Sequence, residues 1–291
     1  MNPVNPVSVS QVGPANAWAV DAGCAPDCAA DAAPRVPMAE AVRRCAALAC
    51  ALARGVSRGD RLAEPEALRG QARSILGALG IRLVAGPEPL TVPGGRGGPG
   101  TLIVANHISW LDVVAVLAVE PVTLLAKREI GQWPVVGTLA RRVGTRFIDR
   151  EELRELPRAV ADLASVLRSG RSVLVFPQAT TWCSAPGGRF RRATFQAALD
   201  AGAPVRPVTI SYEQSGAPST VAAFLGDEDF VTSLRRVAGA SVLTVRVTAH
   251  APLPLTDRRS MAAEALAAVG GAQPEPGSAA LRPLLPYDAA S

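Results

Sequence analysis

Residues 106–112 read Asn-His-Ile-Ser-Trp-Leu-Asp, which sets the imidazole of His107 five positions ahead of the carboxylate of Asp112. Neutral imidazole is the usual general base near pH 7, and a nearby carboxylate can hold its tautomer and stabilise the imidazolium that forms. The heptapeptide follows an apolar run, Thr101-Leu102-Ile103-Val104-Ala105, with the pattern of a buried strand. It precedes Val113-Val114-Ala115-Val116-Leu117, which reads as a helix. The pair therefore falls on a strand-to-helix turn, where the chain can bring Asp112 back toward the imidazole and both side chains can face a cleft. Spacing alone does not assign chemistry, because a His followed five positions later by Asp is common. Of the two histidines in the chain, the other, His250, ends a strand with no acid at a telling distance and reads as structural.

Further segments agree with the first. Lys127-Arg128-Glu129-Ile130 and Trp133-Pro134-Val135-Val136-Gly137 come next, then Gly144-Thr145-Arg146-Phe147-Ile148-Asp149-Arg150. They are followed by Phe176-Pro177-Gln178-Ala179-Thr180-Thr181 and Val205-Arg206-Pro207-Val208. In this order the chain resembles the glycerolipid acyltransferase family, whose best-known members are the 1-acylglycerol-3-phosphate acyltransferases. The family's first block, NHxSxxD, is intact as Asn106, His107, Ser109 and Asp112. The resemblance covers about residues 80 to 250. The other common acyltransferase motif, His-His-x-x-x-Asp-Gly, is not matched.

The third block departs from the family's usual Phe-Pro-Glu-Gly-Thr-Arg-Ser. Gln178 stands for the acid and keeps an acceptor oxygen without the charge. Ala179 stands for the glycine and loses its freedom at positive φ. Thr181 stands for the arginine, which removes a bidentate phosphate donor. Threonine there resembles the branch that acylates lyso-ornithine lipid, whose head group needs fewer basic donors than a phosphate dianion. The loop at 182–192, rich in glycine and arginine, reads either as compensating phosphate contacts or as a solvated surface loop.

The resemblance implies transfer of a fatty acyl group from an acyl thioester, on coenzyme A or acyl carrier protein, to the hydroxyl of a lyso-lipid such as 1-acylglycerol-3-phosphate. His107 is the implied general base, oriented by Asp112, with no covalent acyl-enzyme. Backbone N–H groups near Ala179 and Thr180 are candidates for holding the oxyanion. Asn106, Ser109, Lys127, Arg146, Arg150, Gln178, Thr180 and Thr181 are the implied substrate-binding set. Of these, Lys127, Arg146 and Arg150 are the candidates for an anionic head group, and Arg150 alternatively forms a local salt bridge. Ser109 reads as the cap of the helix that follows. Two other functions stay open: a degenerate family member that binds lipid without turnover, and an acyltransferase with a non-lipid acceptor.

The elements that position these residues alternate. Strands are expected at 81–84, 101–105, 122–126, 145–148, 172–176, 205–212 and 242–248. Helices are expected at 38–55, 65–79, 110–119, 132–142, 153–168, 189–201 and 258–269. That alternation gives an α/β fold, a mixed sheet flanked by helices and preceded by a short helical N-terminal segment. Residues 1–36 and 270–291 carry no periodicity and read as disordered. Residues 37–80 form the helical segment, and residues 81–269 form the acyltransferase domain.

Of the 291 residues, 48% are hydrophobic but only 4% aromatic, so Ala, Val and Leu must build the core. The net charge of +5 suits an anionic membrane surface or phosphorylated substrates. No nucleic-acid-binding signature accompanies it, and the basic residues are scattered. No secretory signal is visible, and no stretch approaches the roughly 20 apolar residues of a span. The expectation is a peripheral enzyme on the cytoplasmic face of the cell membrane. Residues 38–54 are a candidate surface helix with arginines at the head groups, or else a helix packed on the core. The five cysteines, Cys24, Cys28, Cys45, Cys50 and Cys183, read as reduced thiols. No metal and no cofactor are expected, since Cys24 and Cys28 have no evident partners in sequence.

Overall fold

The computed structural model describes residues 23–29, 34–93, 97–127, 136–148, 156–271 and 282–283. The N-terminal helices are α1 (Met38–Ser57) and α2 (Pro65–Ala78), the latter started by a proline whose missing N–H costs a first turn nothing. Alternation then begins: β1 (Arg82–Ala85), β2 (Leu102–Ala105), α3 (Leu111–Val119), β3 (Thr123–Lys127), α4 (Val136–Arg142), β4 (Arg146–Ile148) and α5 (Leu156–Arg168). It continues with β5 (Val173–Val175), α6 (Ala193–Ala201), β6 (Val205–Gln214), β7 (Ala217–Pro218), α7 (Phe230–Gly239), β8 (Leu243–Ala249), α8 (Arg258–Gly271) and β9 (Arg282–Pro283).

The strands form one sheet in the order β4-β3-β5-β2-β6-β8-β1-β9, with β7 paired to β6. β2 runs parallel to both of its neighbours, β5 and β6, whereas β8 runs antiparallel to β6, so the sheet is mixed. Period-two alternation divides the strand residues between two cores. Ile103, Ala105, Leu174, Val208 and Ile210 face a layer that includes Leu76 of α2, Leu111 of α3 and Val237 of α7. Leu102, Val104, Val173, Val175 and Val205 face Leu167 of α5, Phe195 of α6 and Met261 of α8. β2 is buried on both faces and has no exposed residue, which is why it reads as a continuous apolar run. Truncating one of its branched side chains is expected to cost about 2–5 kcal/mol.

The architecture is the expected α/β layering, and most element bounds fall within a few residues of those read from sequence. The differences are local. The helix expected at 189–201 begins at Ala193, because the Arg191 N–H is drawn onto Pro177 O and residues 189–192 close a loop instead. α7 was not anticipated. It starts at Asp229, whose side chain accepts from Thr232 N–H at 3.0 Å. Within the segment expected to be disordered, Pro26–Ala29 form a 3-10 turn with Ala29 buried in the core, and Val36 N–H bonds Gly239 O. Gly270 and Gly271, assigned to the tail, extend α8, and β9 pairs with β1. The helix starts expected at 132 and 153 lie outside the described residues.

On α1, Leu48, Ala51 and Gly55 are buried. Arg44 turns inward rather than toward head groups: it bonds Ala238 O and Ala240 O and pairs with Glu40. The helix thus packs on the core, leaving Met38 (79% exposed) and Val42 (61%) outside.

Candidate active site

His107 sits two residues past the end of β2, and Gln178 three residues past the end of the adjacent parallel strand β5. Carboxyl ends of neighbouring parallel strands are where open α/β sheets build their sites. The turn between β2 and α3 folds back on itself. The Asp112 carboxylate, 0% exposed, accepts at Oδ2 from the N–H groups of Ile108 (2.7 Å) and Ser109 (2.9 Å). The same oxygen lies 2.8 Å from His107 Nδ1. Its other oxygen accepts from the Tyr212 hydroxyl at 2.7 Å. A buried carboxylate is costly unless so many donors meet it. Tyr212 in turn has its pKa raised well above the ordinary tyrosine value, by burial first and then by the Asp112 charge and hydrogen bond. It stays a hydroxyl donor.

His107 is fixed from every side. Its ring stacks on Phe176, with centroids 4.0 Å apart and planes inclined by 15°. Its N–H donates to Gln178 Oε1 at 2.8 Å, and its C=O accepts from Trp182 N–H at 2.8 Å. The ring remains 23% exposed. With Nδ1 donating to Asp112, the lone pair lies on Nε2, the arrangement a general base needs.

The substrate-binding set expected from sequence divides. Asn106 is not a ligand-facing group: its amide donates to Ile210 O (2.9 Å) and accepts from Ile210 N–H (2.8 Å), tying the exit of β2 to β6. Ser109 is fully buried, and its hydroxyl accepts from Leu111 N–H at 3.2 Å; the N-cap of α3 is Trp110, so Ser109 braces the turn ahead of the helix rather than capping it. Gln178 is buried; beyond His107, its Nε2 donates to Pro186 O and to Gly188 O (3.2 Å). It clasps the glycine-rich loop to the His107 backbone. Gly187 lies so close that a Cβ there would meet Gln178 Nε2 at 2.3 Å.

Ala179 adopts φ +63°, a left-handed turn of the kind that glycine holds without a Cβ penalty. Its N–H donates to Phe176 O, which removes it from the candidate oxyanion donors. Thr180 is half-buried beside it. Thr181, in place of the arginine, donates its hydroxyl to Phe224 O and so is committed to the fold. Arg146 is exposed on the edge strand β4, with β3 and β5 between it and β2. Lys127 ends β3, but its side chain, like the whole of Arg150, lies outside the described residues.

Two groups at the site were not anticipated. Phe176 lies inside the third block, yet only the three-dimensional stack gives it a role. Tyr212 lies 100 residues from Asp112, and nothing in its local sequence reveals the partnership; the register of β6 beside β2 creates it. His250 is structural: its Nε2 meets Thr209 Oγ1 at 2.8 Å, and burial lowers its pKa.

A mixed sheet carrying a His-Asp pair at the mouth of a central strand narrows the class, and comparison with known proteins supplies it. The family model described as Acyltransferase matches residues 83–211. The chain is 34% identical over 194 residues to the 1-acyl-sn-glycerol-3-phosphate acyltransferase of Neisseria meningitidis, a match covering 67% of this chain and 74% of that protein. It is also 34% identical over 227 residues to the lyso-ornithine lipid O-acyltransferase of Pseudomonas aeruginosa, covering 77% and 87%. Among solved structures it is similar to the 1-acyl-sn-glycerophosphate (LPA) acyltransferase PlsC from Thermotoga maritima, with a TM-score of 0.53 and 19% identity over 76% of this chain and 85% of that one. At that identity the likeness bears on the fold. The chain belongs to the acyltransferase family and is an acyltransferase enzyme.

Proposed function

We propose that the protein moves a fatty acyl group from an acyl thioester, carried by coenzyme A or acyl carrier protein, to the hydroxyl of a lyso-lipid. The observation that carries this reading is the His107–Asp112 pair, with the ring locked and one edge open. His107 Nε2 takes the proton of the acceptor hydroxyl as its oxygen attacks the thioester carbonyl. The tetrahedral intermediate then expels the thiolate, which receives the proton from the imidazolium. Asp112 orients the ring and offsets its transient charge, and Tyr212 holds Asp112.

The third block bears on the acceptor. The relatives named above act on 1-acyl-sn-glycerol-3-phosphate and on lyso-ornithine lipid. Here Gln178 is neutral and internally bonded, and the Thr181 hydroxyl is spent on Phe224 O. The second feature, a committed hydroxyl where a guanidinium would meet a phosphate, favours an acceptor of lower anionic charge, and lyso-ornithine lipid is the first choice. The departures do not argue for a degenerate lipid binder, because Ala179 still holds a left-handed turn and Gln178 supports the His107 backbone. No helix among the described residues is long and apolar enough to cross a membrane. Peripheral attachment to the cytoplasmic face, with Met38 and Val42 of α1 as contact points, completes the proposal.

The test is free-thiol release from long-chain acyl-CoA and acyl-carrier-protein donors, with lyso-ornithine lipid and 1-acylglycerol-3-phosphate as alternative acceptors. Faster release with lyso-ornithine lipid is expected. Preference for 1-acylglycerol-3-phosphate would reverse the acceptor assignment, and release with neither would overturn the lyso-lipid reading.

A further inference from the structure

Three thiols from two segments far apart in sequence meet beside the third-block loop. Cys24 and Cys28 come from the N-terminal segment, and Cys183 follows Trp182, whose N–H holds the His107 carbonyl. The Sγ atoms all lie within 4.8 Å of one another, and Cys24 Sγ is 3.6 Å from Cys183 Sγ across 159 residues of chain. This corrects the expectation that Cys24 and Cys28 would lack partners: tertiary packing, with Ala29 anchored in the core, brings Cys183 to them.

We propose that Cys24, Cys28 and Cys183 bind one zinc-type divalent ion, which staples the N-terminal segment to the loop beside His107. Tetrahedral zinc with Zn–S bonds of about 2.3 Å needs sulfur–sulfur edges of roughly 3.8 Å, a short adjustment from the observed cluster. The three residues between Cys24 and Cys28 match the two to four that separate paired cysteine ligands at structural zinc sites. Soft thiolates select zinc and similar ions over magnesium or calcium. Cys24 and Cys183 are half-buried while Cys28 is exposed, so the ion has an entry path and a water can fill its fourth position. Binding converts three thiols to thiolates and releases three protons, leaving one net negative charge on the site. Affinity therefore falls as pH is lowered.

The reduced full-length chain, stripped of metal, is titrated with Co²⁺ and then Zn²⁺. The expected result is one Co²⁺ per chain, with thiolate-to-cobalt charge-transfer absorption that Zn²⁺ abolishes. Loss of one ligand in Cys28→Ser is expected to weaken binding at least about 100-fold, beyond the 10–100-fold that outer partners are worth. Cys28 is exposed, so this variant keeps the test meaningful if Cys183→Ser does not fold. Cys45→Ser and Cys50→Ser should bind as the parent does. Absence of stoichiometric binding, or an undiminished band in Cys28→Ser, would overturn the proposal. So would a metal-free chain in which Cys24 and Cys183 resist alkylation until a reductant is added, since the pair would then be a disulfide.

Discussion

The side-chain carbonyl of Gln178 accepts the backbone N–H of His107 at 2.8 Å, while its amide donates to the carbonyls of Pro186 and Gly188. The residue that replaces the family's acid thus works through both of its polar ends. Gln178→Glu keeps the acceptor but sets a carboxylate, at a buried position, against the carbonyl oxygens of Pro186 and Gly188. It is expected to destabilise the protein by about 1–3 kcal/mol, the cost of leaving buried polar groups unsatisfied. Activity should fall rather than rise toward 1-acylglycerol-3-phosphate. Denaturant unfolding and acceptor-dependent turnover of the variant check both points.

Ala179 tells the opposite story, since its φ of +63° is a conformation in which a Cβ is a liability. Ala179→Gly should relieve about 1 kcal/mol of backbone strain, partly offset by the greater entropy of an unfolded glycine. The expected outcome is a small rise in the denaturation midpoint. A drop of 1 kcal/mol or more would show that the turn is not strained.

Tyr212→Phe removes one donor from the Asp112 carboxylate without touching His107. Hydrogen bonds to charged groups are worth about 1.5–3 kcal/mol. A loosened Asp112 is expected to reduce kcat by roughly tenfold, about 1.4 kcal/mol of barrier, with KM little changed. Steady-state kinetics on the folded variant separates the two constants. Unaltered kcat would place Tyr212 outside the positioning of the pair.

Burial lowers the pKa of His250 from its ordinary 6.5. The unfolded chain therefore takes up this proton at a higher pH than the folded one. The contribution to stability is complete above about 6.5 and is lost as pH falls from there through the lowered value. Asp229 and Asp257, held low by hydrogen bonds from Thr232 and Ser260, lose theirs only below 3.8. His250→Gln should therefore flatten the dependence of Tm on pH just below 6.5 and leave the more acidic limb intact. Thermal scans across that range provide the check.

The His-Asp pair and the α/β alternation were legible because both are local: a strand pattern, a turn and a helix pattern in immediate succession. The roles of Asn106 and Gln178 were not legible. Whether a polar side chain faces a ligand or a backbone group depends on its spatial neighbours, and those neighbours are Ile210 and Pro186. Tyr212 and the Cys24–Cys28–Cys183 cluster were hidden for the same reason, since each joins segments 100 or more residues apart. α7 was missed although Asp229 and Thr232 carry an ordinary N-cap pattern. It is only ten residues long, and of its apolar residues only Val237 and Ala238 are fully buried on the core.

The role of His107 is tested most directly by acceptor-dependent thiol release from a long-chain acyl thioester, measured for the parent and for His107→Ala at matched secondary structure and Tm. General-base catalysis is worth about 10²–10⁴-fold, or about 3 kcal/mol and more of barrier. The expected result is at least a hundredfold loss of release in the variant. Equal rates in the two proteins would contradict the assignment of His107 as the base.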